Sequence, residues 1–337
     1  MTKNVESLSR NRNAATGEGP LPQPSSALSR ARGLAGMSRA LPLAGLVGLI
    51  IVYTIAAGDR FMTVNNWANL VQQASVVAII GFGLTFVVVA GSIDLSVGSV
   101  AAFSGMVAAL TATGHGSFMG VVAGLGVGAA CGLVNGVLCS IFKVPSFIVT
   151  LGMLSVARGL TIVVSDSRSE PVSGALAWMG IAPGIYLVLG SAFVVAFVLM
   201  NGTTFGRYTR SIGGEERVSA LSGVPVRLVK VAAFVVSGLL AGLGGIVLGG
   251  QLGIATAQAA TGFELSAIAA VVLGGTPLTG GIGNVWNTAI GAFIIVVLNN
   301  GLVILGVAPE VQQVIQGAIL VLAVFVALDR SKIGIIK

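Results

Sequence analysis

Asp94 is the single acidic residue between Asp59 and Asp166, and it stands in the apolar run Val87-Val-Val-Ala-Gly-Ser-Ile-Asp-Leu-Ser-Val-Gly-Ser-Val-Ala-Ala102. A carboxylate at the centre of a bilayer costs roughly 2.5–3.5 kcal/mol on insertion scales, and it marks a functional position when it occurs there. The small, helix-disfavouring residues around it (Gly91, Ser92, Ser96, Gly98, Ser99) predict a broken or re-started helix. Irregular backbone at membrane depth is tolerated only where protein buries it or a water-filled cavity receives it. A second acid repeats the pattern: Ile93-Asp94-Leu95-Ser96 recurs as Phe263-Glu264-Leu265-Ser266, again followed by small residues. Asp94, Ser96, Ser99 and Glu264 are therefore expected to line a polar path through a membrane or to form its hinges. Two chemistries suit such a path: passage of a polar solute, or proton coupling through Asp94 or Glu264.

Other reactive groups are sparse. No Gly-Lys-[Ser/Thr] follows any glycine run, so ATP should not bind through a P-loop, and HExxH and clustered His/Cys ligands are missing as well. No cofactor or metal is expected, and an embedded enzyme would need a nucleophile–base or metal constellation that the chain lacks. Cys131 and Cys139, eight apart in an apolar stretch, read as structural thiols. His115 reads as a solvated loop residue. Arg158, in Ser155-Val-Ala-Arg-Gly-Leu160, should form a structural pair or snorkel.

The elements that must position these residues follow from composition. Of the 337 residues, 55% are hydrophobic and only 9% charged, with a mean hydropathy of +0.99. Soluble domains carry about 25% charged residues, so the chain reads as an all-α polytopic membrane protein. Apolar runs place ten spans near 41–57, 68–90, 94–112, 118–142, 146–164, 184–201, 230–250, 264–280, 284–306 and 310–328. Eight or twelve are the counts that Gly-rich half-spans would produce instead. The acid motifs open the third and eighth spans, as an inverted 5+5 repeat would, although an acid at a helix start is also an ordinary cap.

The net charge of +7 is distributed by topology. Basic residues gather before residue 41, between 202 and 230, at the C-terminus and at Lys143, all of which ten spans put on the cytoplasmic side. The high pI thus reports orientation and not a nucleic-acid partner. Residues 1–40, with Pro20, Pro22 and Pro24, read as a disordered basic cytoplasmic tail; 41–330 as the transmembrane domain; 331–337 as a cytoplasmic C-terminus. Within the 202–229 loop, Gly213-Gly214 precedes Glu215, Glu216, Val218, Ala220 and Leu221 in a short amphipathic pattern. Such a helix either docks into another protein or lies on the bilayer.

Three further motifs carry a resemblance. Gly91-Ser-Ile-Asp-Leu-Ser-Val-Gly-Ser99, Val144-Pro-Ser-Phe-Ile-Val-Thr-Leu-Gly-Met153 with Ala157-Arg-Gly159, and Ala269-Ala-Val-Val-Leu-Gly-Gly-Thr276 with Leu298-Asn-Asn-Gly-Leu302 resemble the ribose-type sugar permeases. These belong to the superfamily of branched-chain amino acid, ribose, xylose, arabinose and galactoside permeases of ATP-binding-cassette (ABC) importers. The resemblance implies a monosaccharide or polyol as substrate and the bacterial inner membrane as location. It implies cytoplasmic ATPase subunits, a periplasmic sugar-binding protein and a second permease copy as partners, with ATP hydrolysis on the separate subunits. It also implies that Gly206–Gly223 is the coupling segment, with Arg207, Arg210, Gly213, Glu215 and Glu216 toward the ATPase. Ser92 stands for a usual Gly, Ser146 for a common Pro, and Trp286-Asn287 where the family favours small residues. An ion-coupled secondary transporter and a branched-chain amino-acid ABC permease are the alternatives.

Overall fold

The structure, a computed structural model, describes residues 24–327. Thirteen α-helices succeed one another: α1 Pro24–Ala57, α2 Val64–Val89, α3 Val97–His115, α4 Ser117–Ser140, α5 Ser146–Ser165, α6 Gly174–Gly180, α7 Gly184–Gly202, α8 Thr204–Gly214, α9 Glu216–Leu221, α10 Val226–Leu252, α11 Phe263–Leu273, α12 Val285–Ile304 and α13 Pro309–Ala327. Among the described residues the only strands are β1 (Glu170–Pro171) and β2 (Ile254–Ala255), paired antiparallel. The all-α expectation holds. The chain divides into two units at Leu41 and Pro42, and the packing that follows is that of the second.

Local chemistry sets several boundaries. Thr63 and Thr203 cap α2 and α8 by accepting from the N–H groups of Asn66 (3.2 Å) and Gly206 (3.3 Å), and Asn284 caps α12 through Trp286 N–H (3.1 Å). Each cap satisfies a donor that a helix start would otherwise leave orphaned in an apolar setting. Helix α2 is buried along most of its length and α10 along much of its own, whereas α1 and α5 turn large apolar side chains outward, as lipid-facing helices do. α4 approaches α10 without intervening side chains: a Cβ on Gly132 would overlap the Phe234 carbonyl, and one on Gly128 the Gly238 carbonyl. Small residues that let backbones meet replace the hydrophobic driving force that lipid removes.

Eight helices are long and apolar enough to span a bilayer, and α11 and α13 bring the membrane elements to the expected ten. Three expectations need correction. The third span begins at Val97 rather than at 94, because residues 92–96 form no regular secondary structure. The eighth, expected over 264–280, stops at Leu273 after 11 residues, since Gly274, Gly275, Pro277, Gly280 and Gly281 cannot sustain a helix. At 11 residues it is about half of what a helical span needs, a half-span by length. The disordered tail expected over 1–40 is helical from Pro24; residues 1–23 and 328–337, including the expected C-terminal segment, lie outside the described residues.

Candidate functional site: a broken helix and the segment beneath it

Between α2 and α3 the chain leaves helical geometry at Gly91, whose φ of +75° only glycine adopts without strain. The break that follows places Asp94 in the protein interior, 2% exposed. Its Oδ1 accepts from Ser96 N–H (3.0 Å) and from the Ser96 hydroxyl (2.6 Å), and its Oδ2 from the Ser237 hydroxyl on α10 (3.0 Å). Asn135 on α4 donates in turn to Ser96 Oγ at 2.9 Å. Three donors on one carboxylate offset part of the cost of burying it. Neither ion pair among the described residues, Asp166–Arg168 or Glu216–Lys230, involves it. The acid locks three elements together: the break, α4 and α10.

The break's own backbone is also served from outside. Ile93 N–H donates to Ser146 Oγ at 3.1 Å, at the first residue of α5. A proline there, the commoner residue in the resembled family, has no such acceptor. The other departure, Trp286, is exposed and sets its edge on Phe193 at 5.7 Å, so it needs no narrow interface.

Glu264 lies in the first turn of α11, not in a break, so the two acid motifs differ in local backbone despite their common letters. Its Oε1 accepts from Gly262 N–H at 3.3 Å, while Oε2 is buried without a partner. Oε2 lies where a Cβ on Gly98 would go, which puts Glu264 against the first turn of α3. Ser99, in the same turn, is 1% exposed with its hydroxyl unpaired. All four expected path residues thus gather at the start of α3. None of the four lines the cavity bounded by Ala101, Ala102, Gly105, Gly245, Leu248, Gly249, Ala255, Thr256 and Ala259. Asp94, Ser96 and Ser99 are enclosed by protein here rather than facing an open channel. Arg158, partly buried, donates to the carbonyls of Ala257 and Ala259 (2.9 Å to the latter), fastening the loop before α11. Cys131 and Cys139 are free thiols.

The segment Gly206–Gly223 folds as two helices, α8 and α9, tied by a Ser211–Ser219 hydroxyl pair at 2.7 Å. Arg207, Glu215 and Glu216 are exposed on it, and Glu216 pairs with Lys230 of α10 at 2.6 Å. Arg210, expected to face outward with them, is turned into this chain instead. It donates to Met200 O (2.9 Å), Asn201 Oδ1 (2.8 Å) and Gly283 O (3.4 Å), because orphaned carbonyls at the end of α7 lie within its reach. Gly213 is partly buried, its backbone against Val89 and Gly281.

Sequence reasoning passed over Asn135 and Ser237, which complete the Asp94 cluster, and Gln316, which donates to Ser266 Oγ at 2.8 Å across α11 and α13. A signal existed: Asn135 is the one amide side chain in the apolar run of α4, and such residues cost enough in lipid to require a partner.

Residues 66–324 match the family described as branched-chain amino acid transport system / permease component. The ribose import permease protein of Escherichia coli (strain K12) is 40% identical over 296 residues, covering 83% of this chain and 92% of that protein. The L-arabinose ABC transporter permease protein of Azospirillum brasilense is 34% identical over 317 residues (90% and 92%). The D-allose transport system permease protein of Escherichia coli (strain K12) is 36% identical over 290 residues (84% and 88%). No solved structure matches significantly. With the match spanning most of its length, the chain belongs to the branched-chain amino acid transport system / permease component family.

Proposed function

We propose that this chain is the transmembrane permease subunit of an ABC importer that carries a monosaccharide or related polyol across the bacterial inner membrane. One observation carries the reading: relatives named as ribose, L-arabinose and D-allose permeases align over more than four-fifths of the chain at 34–40% identity. The family's broader name includes branched-chain amino acids, but the sugar-named relatives favour a sugar. The eight long apolar helices support a multi-pass membrane subunit.

In this reading hydrolysis belongs to separate cytoplasmic ATPase subunits, and a periplasmic binding protein supplies the sugar to a pair of permease copies. Residues 202–229 form the cytoplasmic coupling segment of a permease domain spanning 41–330, flanked by the tail of residues 1–40 and by 331–337, and both termini are cytoplasmic. Arg207, Glu215 and Glu216 meet the ATPase from the exposed side of α8 and α9, while Arg210 holds α8 in place from within. Asp94 and Ser96 act as the hinge of the broken helix. Glu264, half-buried with one carboxylate oxygen unpaired, stands beside the sugar path with Ser99. A polyol offers hydroxyls that donate and accept, which a serine and a carboxylate can answer.

Reconstitution tests the proposal. Proteoliposomes holding the permease, its ATPase subunits and the binding protein should accumulate labelled ribose, arabinose or allose only with ATP inside the compartment that bears the ATPase. Uptake by the permease alone, driven by a proton gradient, would overturn it in favour of secondary transport.

A further inference from the structure

We propose that Gly91, Gly213, Gly280 and Gly281 form a backbone joint through which movement of the coupling segment passes directly to the break that holds Asp94; the inference rests on the ABC reading above. Val89, the last residue of α2, has its carbonyl oxygen accepting from Gly281 N–H at 2.9 Å, across the loop that follows α11. The same carbonyl lies where a side chain on Gly213 would have to go, and so does Gly281 N. Above it, a Cβ on Gly280 would fall 2.8 Å from Gly91 N and 3.0 Å from Val89 O. Gly280 and Gly281 both hold left-handed backbone, with φ of +83° and +82°, so a side chain is excluded there by conformation as well as by space.

Three segments far apart in the chain therefore meet main chain to main chain. They are the end of α8, the end of α2 with its break, and the loop before α12. Side chains can rotate to absorb a shift; a peptide plane in contact with another cannot. The rest of α8 is clamped to the same neighbours. Phe205 stacks on Phe86 of α2 with ring centroids 5.5 Å apart, and Arg210 reaches Gly283 O at 3.4 Å. A displacement of α8 must carry the end of α2 with it. Five residues beyond Val89 lies Asp94, latched to Ser237 and, through Ser96, to Asn135. The glycines position the break without touching the solute.

The test uses the whole importer in proteoliposomes and reads sugar taken up per ATP hydrolysed, which a merely structural contact would not alter once the complex has assembled. Gly280→Ala wedges a methyl between loop and break. The assembled variant should retain its ATPase subunits yet take up sugar per ATP on the order of tenfold less well, as expected when two packed arrangements are no longer exchanged together. Gly190→Ala in α7, outside the joint and with open space for its methyl, should keep the wild-type ratio. If Gly280→Ala does not assemble, Gly91→Ala decides, because its Cβ has 3.8 Å of room and only the +75° backbone is strained; a several-fold loss in the ratio is then expected. A wild-type ratio in the joint variant that assembles overturns the joint, as does an equal loss in Gly190→Ala. Failure of the wild-type chain to retain any ATPase strikes the ABC reading itself and is thereby told apart.

Discussion

Asp94 owes its burial to three hydroxyl and amide donors rather than to a counter-ion, and this decides what its substitution should do. In Asp94→Asn the amide oxygen can keep both Ser96 donors while its N–H₂ faces the Ser237 hydroxyl, which can turn to accept, so charge-assisted bonds become neutral ones. The loss should be about 1 kcal/mol, read as a lower melting temperature in detergent, with uptake reduced and membrane insertion intact. Ser237→Ala leaves Oδ2 of the buried carboxylate without its donor and should cost about 1.5–3 kcal/mol. Equal melting of Asp94→Asn and wild type would show that the cluster does not hold the break. Glu264 differs at this scale. Its carboxylate has one long contact and one unpaired oxygen, so Glu264→Gln should alter uptake more than stability.

At the scale of elements, the break between α2 and α3 depends on helices remote in sequence. Ser146 at the start of α5 supplies the acceptor for Ile93 N–H. Ser146→Pro keeps a residue that suits the first turn of a helix but removes that acceptor, and should destabilise the protein by about 0.5–1.5 kcal/mol. Thermal unfolding of the purified permease would measure it; no change would assign the N–H another partner. The same scale explains the half-span. After α11 the apolar run meets five helix-breaking residues within eight positions, and the helix ends after 11 residues. Hydropathy averaged over 264–280 could not register that, because Gly and Pro change conformation more than they change polarity.

For the whole molecule, ten membrane elements and the basic-residue distribution jointly predict which loops share a side. Cysteines introduced at Lys143 and Ser222 should be labelled by a membrane-impermeant reagent only from the cytoplasmic face, and one at Ser167 only from the other. All three sites are exposed on the protein, and the native thiols are the buried Cys131 and half-buried Cys139. Labelling of Lys143→Cys and Ser167→Cys from one common side would reject the ten-element topology.

By itself the sequence determined the class, the approximate span count and the residues worth attention. Those properties are local: apolar runs of membrane length, an acid among them, and basic residues left where lipid cannot admit them. It also set Gly213-Gly214 at the head of a short amphipathic pattern. Only the tertiary structure decided what they pack against. That Arg210 points inward, that Asn135 and Ser237 complete the Asp94 cluster, and that α8 rests on the last carbonyl of α2 all depend on partners up to 143 or more positions away. Hydrogen bonds and close packing are short-ranged in space and indifferent to sequence separation, so these pairings become legible only once the chain has folded.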